Sequence, residues 1–202
     1  MSLGLHLIDQ GEYSQAEVML ERAIRLAPKN SYGYLLRAYF DQLFNRDETA
    51  LQNLTTAVDL NPRSTFAHFY RGELLAKEGK YTDAIRDYER ALKLKHYFTD
   101  ARFGLAVVYL QQQRLKEATD ACELILQIDR RDVRAYKCLG RILMERKDFA
   151  EASKVYERGL AYLPANKELW HDLSLTYVAR GMLGPASVAY QKSTSVSPGS
   201  PN

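Results

Sequence analysis

One spacing limits what this chain can fold into. Alanine recurs at a constant stride of 34 residues, at Ala16, Ala50, Ala84, Ala118, Ala152 and Ala186. A second series of small residues keeps the same stride, at Gly4, Ala38, Gly72, Ala106, Gly140 and Ser174. A fixed period of this length is typical of an array in which short structural units stack on their neighbours. The period therefore predicts one elongated repeat domain without a central core.

Residues 65–98 show what one unit contains. Two stretches with apolar residues at helical spacing flank the turn Glu78-Gly79-Lys80. Gly72 in the first stretch and Ala84 in the second are small enough to let two helices touch, and Tyr88 is large enough to fill the space beside them. The pattern in each copy therefore predicts a pair of short amphipathic helices. Six copies together predict twelve helices and an all-α fold.

The connections between helices also repeat. The turn inside a pair contains glycine at Gly11, Gly79 and Gly181, and we expect Asn45 to replace it in the second copy because asparagine tolerates positive φ. Proline closes four of the six copies, at Pro28, Pro62, Pro164 and Pro198. His96 and Arg130 stand at this position in the third and fourth copies. At those two junctions we expect a less sharply defined turn.

The pattern within each copy resembles the tetratricopeptide repeat (TPR) family. The family pattern asks for an aromatic residue, Leu-Gly, Tyr, Ala, a second aromatic residue, Ala and a closing Pro. In the last copy these positions hold Trp170, Leu173, Ser174, Tyr177, Ala186, Tyr190, Ser193 and Pro198. The resemblance covers the whole chain and implies an α-solenoid, a right-handed superhelix of helix-turn-helix repeats.

The same phasing predicts the domain organisation. A single TPR domain is expected over residues 1–200. Its repeats are expected at 1–30, 31–64, 65–98, 99–132, 133–166 and 167–200. A flexible tail is expected at 197–202, where two prolines and a glycine disfavour a helix.

Composition and motifs argue against an enzyme and against a membrane protein. No apolar run approaches the ~20 residues that a membrane span needs. The first residues lack the basic stretch of a leader peptide, so we expect a cytoplasmic protein. The chain contains no Gly-rich phosphate loop, HExxH, CxxC or nucleophile elbow. We therefore predict no catalytic residue, no cofactor and no metal.

The two cysteines, Cys122 and Cys138, are too few to form a disulfide framework. Cys122 stands at a position that holds tyrosine in other copies. We expect it to be a buried, reduced thiol that fills space as a small apolar side chain.

The TPR resemblance implies that the first helices of the pairs line a concave face, and repeat arrays use such faces to bind ligands. Positions spaced at i, i+3 and i+7 on each first helix point away from the packing face. They form an aromatic and apolar half followed by a basic half. The residues predicted to line the groove are Tyr32, Leu35, Tyr39, Phe66, Phe69, Tyr70, Glu73, Phe103, Val107, Arg134, Lys137, Arg141 and His171.

Each half of the groove has a structural alternative. Phe66, Phe69 or Phe103 could instead pack between neighbouring first helices. Arg134 and its basic neighbours could be a solvated charged stripe. Three like charges on one stripe repel each other unless an acidic group lies among them, which favours an anionic partner.

These residues predict a non-catalytic scaffold that binds a peptide or helix of another protein. The partner would have apolar anchors for the aromatic half and acidic residues near Arg134 and Arg141. Chaperone-adaptor TPR proteins grip a terminal carboxylate with lysine and asparagine side chains. Lys137 matches that lysine, but Arg141 and Asp172 replace the asparagines, so this sequence does not favour a carboxylate clamp.

Two alternatives come from other classes of function. The open ends of the array or its aromatic groove could bind a second copy and form a homo-oligomer. Pentatricopeptide arrays, which are also helix pairs, read one RNA base per repeat. Their repeats are one residue longer, and the net charge of +3 is small, so a nucleic acid is the less favoured partner.

Overall fold

A computed structural model describes residues 3–195, and for residues 3–5 it describes the backbone alone. Within this range the regular structure is entirely helical. The helices are α1 (Leu3–Asp9), α2 (Tyr13–Leu26), α3 (Ser31–Leu43), α4 (Asp47–Leu60), α5 (Thr65–Lys77), α6 (Tyr81–Leu94), α7 (Thr99–Gln111), α8 (Leu115–Ile128), α9 (Val133–Glu145), α10 (Phe149–Tyr162), α11 (Lys167–Ala179) and α12 (Leu183–Thr194). The tail predicted at 197–202 lies outside the described residues.

The helix bounds repeat with the predicted period. The first helices after α1 begin at Ser31, Thr65, Thr99, Val133 and Lys167, in steps of 34 residues. The second helices begin at Tyr13, Asp47, Tyr81, Leu115, Phe149 and Leu183, again in steps of 34 residues. The predicted all-α fold of repeated helix pairs is confirmed.

The turn inside every pair contains one residue in the left-handed region. Glycine occupies it at Gly11, Gly79 and Gly181, with φ between 73° and 75°. Asn45 occupies it with φ of 54°, as predicted. Gln113 (φ 60°) and Lys147 (φ 62°) hold the same position in the fourth and fifth copies. In these two turns a residue with a Cβ adopts the left-handed conformation, which is unfavourable by about 1–2 kcal/mol.

The junctions without proline have the same length as the others. Four residues separate α6 from α7, and four separate α4 from α5. The prediction of a less sharply defined turn at His96 and Arg130 is therefore wrong. At each junction the backbone carbonyl accepts a hydrogen bond from the side chain six residues later. These pairs are Tyr34 with Pro28, His68 with Pro62, Arg102 with His96, Tyr136 with Arg130, and Trp170 with Pro164.

This junction bond explains why proline can be replaced. The acceptor is a main-chain oxygen, which every residue type supplies, and its distance to the donor ranges from 2.8 to 3.2 Å. The position that holds an aromatic residue in the family pattern therefore also needs a hydrogen-bond donor at the end of its side chain. Arg102 meets that need without an aromatic ring.

The chain divides into two compact units, unit 1 (Met1–Val108) and unit 2 (Tyr109–Asn202), with the division inside α7. Within each unit a second helix packs between two first helices, as α4 does between α3 and α5 and as α10 does between α9 and α11. First helices also touch each other directly, α1 with α3 and α9 with α11. First helices thus lie closer together than second helices, which places them on the inner side of each unit's curvature.

Candidate functional site

Four aromatic rings cluster at the start of α5 in unit 1. The ring centroids of Phe69 and Phe98 are 4.9 Å apart, those of Phe66 and Phe98 are 5.7 Å apart, and those of Phe69 and Tyr70 are 5.1 Å apart. Phe69 and Phe98 are buried. Phe66 contacts Phe98 and stacks with Tyr70, and 49% of its surface is exposed. Phe69 therefore packs in the interior, and Phe66 is the ring of this cluster that another molecule can reach.

The other apolar residues predicted in unit 1 differ in exposure. Tyr32 and Val107 are exposed. Leu35 and Tyr70 are half-buried against a cluster built around Leu54 and Leu74. The remaining two are also half-buried: Tyr39, which packs on the cluster around Phe40, and Phe103.

Glu73 lies on the first helix α5, one helix turn after Tyr70. It is exposed, and within the described part of the chain it has no ion pair or hydrogen bond from its side chain. Lys77, one turn further on and correctly spaced to pair with it, instead donates to Asp47 of α4. Glu73 is thus an accessible carboxylate whose nearest helical partner is engaged elsewhere.

The surroundings of Glu73 are poorly solvated. Burial raises its pKa above the ordinary value, and the negative charge of Asp100 on α7 raises it further. Burial also raises the pKa of Tyr70, and so do the charges of Glu73, Tyr39 and Asp100. Glu73 is therefore an exposed side chain whose carboxylate has lost part of its hydration and lies within the field of Asp100.

The basic half lies in unit 2, and each of its cations is already paired. Arg134 donates to Asp132 at 2.7 Å, Lys137 to Glu168, and Arg141 to Glu145 at 3.2 Å. The hydrogen bond to Glu168 raises the pKa of Lys137. The acidic groups that relieve repulsion along the stripe thus belong to the chain itself, which weakens the case for an anionic partner.

The residues of this basic half differ in how much of each side chain is exposed. The Arg141 side chain is 75% exposed and its pair with Glu145 spans one turn of the same helix. The Lys137 side chain is 42% exposed, and its partner comes from α11. His171 is also exposed, with Nδ1 3.6 Å from a carboxylate oxygen of the neighbouring Asp172. Arg141 is the cation that a partner could reach most readily.

The oxidation state of the two cysteines differs from the predicted one. Cys122 of α8 and Cys138 of α9 are joined by a disulfide, and both are buried. The prediction of a reduced thiol is therefore wrong. One repeat earlier the same two positions hold Tyr88 and Gly104, and a Cβ on Gly104 would lie 2.5 Å from the Tyr88 ring. Comparing these pairs across repeats would have revealed the contact, since positions that touch in one copy touch in the next.

Two kinds of site are not found among the described residues. Across residues 3–195 no group of three or more His, Cys, Asp or Glu side chains could hold a metal ion. In the same range no helix combines the length and the apolar character needed to cross a membrane.

Similar proteins support the fold. Superkiller complex protein 3 of Homo sapiens is 32% identical over 113 residues, which make up 55% of this chain and 7% of that protein. A TPR repeat-containing protein of Methanocaldococcus jannaschii is 22% identical over 205 residues, 96% of this chain and 36% of its own length. The chain thus spans well under half the length of both relatives. The crystal structure of YrrB, described as a TPR protein with an unusual peptide-binding site, has a TM-score of 0.67 and 19% identity, and the match covers 86% of this chain and 90% of that one.

Family models agree with the repeat phasing. Models described as tetratricopeptide repeats match residues 1–30, 45–97, 75–142 and 133–166. Two of these matches, 1–30 and 133–166, have the bounds of the first and fifth predicted repeats. With its phased helix pairs and these matches along most of its length, the chain belongs to the tetratricopeptide repeat family.

Proposed function

We propose that this protein is a non-catalytic scaffold that binds a peptide segment or helix of another protein on its first-helix face. TPR proteins generally mediate protein–protein interactions, and YrrB, which shares the fold, is described by its peptide-binding site. The observation that supports the proposal most directly is Phe66. It is an exposed ring on the first helix α5, in contact with the buried ring of Phe98.

The energetics favour Phe66 as an anchor. A ring that already stacks against Tyr70 and contacts Phe98 loses little freedom when a partner covers it. Tyr32 and Val107 add exposed apolar surface on first helices of the same unit. Large exposed apolar side chains commonly take part in interaction surfaces, and one well-packed aromatic anchor is worth about 2 kcal/mol or more.

Unit 2 offers a charged contact on its own first helices. Arg141 is largely exposed, and pairs within one helix turn at a surface are worth only about 0.3–0.5 kcal/mol. A partner carboxylate could therefore replace Glu145 at little cost. Arg134 and Lys137 would contribute less because carboxylates of the chain already pair with them.

The test uses a random 12-residue peptide display library selected against the purified protein. Affinity for an enriched peptide is then measured by fluorescence polarisation. For Phe66→Ala we expect about 30-fold weaker binding, the equivalent of about 2 kcal/mol. Tyr97→Ala is the matched control, because Tyr97 is 74% exposed and lies at the junction before α7 rather than on a first helix. Unchanged affinity in a folded Phe66→Ala variant would contradict the proposal.

Self-association is the second candidate. In unit 2, α12 exposes Leu183, Val188 and Tyr190, each by more than half of its surface. Apolar residues at this density on one helix suit contact with a second copy. Light scattering across a range of concentrations decides the point, since the mass of a single chain at every concentration would exclude a homo-oligomer.

A cytoplasmic location remains a prediction, and the disulfide bears on it. Disulfides persist mainly in oxidising compartments, whereas cytosolic thiols are kept reduced. Alkylation of the protein in freshly lysed cells tests the location. Two free thiols per chain would favour the cytoplasm, and an intact disulfide would favour an oxidising compartment.

A further inference from the structure

We propose that Glu73, one helix turn after Tyr70 on α5, binds a lysine or arginine side chain of the captured segment. This role presupposes the proposed function and defines one chemical requirement of the partner. It adds a positively charged residue to a partner for which the sequence predicted apolar and acidic residues.

The first step is the state of Glu73 in the free protein. It is an exposed residue of the first helix α5, and in the described part of the chain no cation pairs with it. Lys77 would be the natural partner four residues on, but it binds Asp47. The carboxylate therefore remains available to a cation from outside.

The second step is the aromatic ring of Tyr70, one helix turn before Glu73. Tyr rings attract cations at their faces, by about 0.5–1 kcal/mol where exposed and more where water is excluded. The chain supplies its own cation to the neighbouring rings, since Lys95 Nζ lies 5.9 Å from the Phe66 centroid and 5.1 Å from that of Phe98. Among the described residues no Lys or Arg lies over the ring of Tyr70, which is half-buried and stacks with Phe66. The exposed part of this ring therefore has no cation from the chain itself.

The third step is electrostatic. Burial raises the pKa of Glu73, and Asp100 raises it further through its field, so the ionised carboxylate is less well solvated than on an open surface. A cation that binds beside Glu73 compensates for the lost hydration, whereas an acidic side chain would be repelled and an apolar one would leave the charge uncompensated. Charge complementarity thus favours a basic residue over either alternative.

The experiment repeats the peptide selection on the wild type and on Glu73→Lys. We expect the wild type to enrich peptides that combine an apolar anchor with a nearby lysine or arginine. Glu73→Lys should instead enrich aspartate or glutamate at that position. An unchanged consensus in the variant would overturn the proposal.

A thermodynamic cycle then isolates the contact. The enriched peptide is compared with a version in which norleucine replaces its basic residue, on the wild type and on Glu73→Gln. We expect about tenfold weaker binding from either change alone and little further loss when both are combined. Glu89→Gln is the matched control, because Glu89 is an exposed carboxylate on the second helix α6 and should leave affinity unchanged.

The outcomes separate the two proposals. Enriched peptides that depend on Phe66 but show no basic preference and no response to Glu73→Gln would overturn the role of Glu73 and leave the scaffold function standing. A failure of every selection to enrich any peptide would count against both.

Discussion

At the scale of single residues, Lys147 carries a conformational cost that glycine would remove. Its φ of 62° lies in the left-handed region, where Gly11, Gly79 and Gly181 stand in other copies. Lys147→Gly should raise the free energy of unfolding by about 1 kcal/mol, because glycine adopts this conformation without the Cβ clash. Urea denaturation followed by circular dichroism measures the change.

Two control variants test this explanation. Lys147→Ala removes the long side chain but keeps the Cβ, so it should give no such gain. Gly79→Ala should lose about 1 kcal/mol, since its φ is 75° and the added Cβ would meet no other atom within 4 Å. Equal gains from glycine and alanine at position 147 would show that the lysine side chain, not the backbone, was responsible.

At the scale of elements, a buried ion pair joins α5 to α6. Asp87 accepts hydrogen bonds from His68 Nδ1 at 2.7 Å and from Arg71 Nε at 2.6 Å. Burial alone would raise the pKa of Asp87, but the hydrogen bonds from His68 and Arg71 outweigh it and hold the pKa below its ordinary value. Breaking a buried pair from one side typically costs about 3–5 kcal/mol.

Asp87→Asn should therefore destabilise unit 1 by about 3 kcal/mol at pH 7. Because the folded-state pKa is lowered, the stabilising effect of ionised Asp87 is present above the unfolded pKa of about 4 and is lost as pH falls through the folded value. The stability gap between wild type and variant in urea should accordingly narrow below pH 4. The exposed Asp83→Asn is the control and should change stability little. A gap that stays constant between pH 7 and pH 3 would mean that Asp87 acts through its shape rather than its charge.

The helix pairs could be predicted because their signal is local and repeated. Ala84 and its counterparts mark the close approach of two adjacent helices. Because they recur at a constant period, the helix bounds of one copy predict those of the others. The interior position of Phe69 could not be predicted, because it depends on Phe98 arriving from the end of the same copy. The pair of Lys137 with Glu168 joins two copies through flexible side chains. A helical stripe alone cannot distinguish such a pair from a free charge.

At the scale of the whole molecule, repeat arrays are stabilised by contacts between neighbouring units rather than by one shared core. The disulfide between Cys122 and Cys138 is such a neighbour contact, because it joins α8 of the fourth copy to α9 of the fifth. A crosslink across 16 residues stabilises by about 3 kcal/mol in the chain-entropy model. That stabilisation should remain close to the two helices it joins instead of spreading evenly along the chain.

Hydrogen exchange followed by mass spectrometry tests this expectation. Adding dithiothreitol should speed amide exchange most in α8 and α9, while α3 and α4 in unit 1 should exchange at nearly their original rates. A variant with Cys122→Ala and Cys138→Ala should exchange equally fast with and without the reductant, which excludes effects of dithiothreitol itself. Acceleration of equal size throughout the described helices would instead show that the chain opens as one cooperative body. In that case the stability of the groove residues in unit 1 would depend on the oxidation state of two cysteines in unit 2.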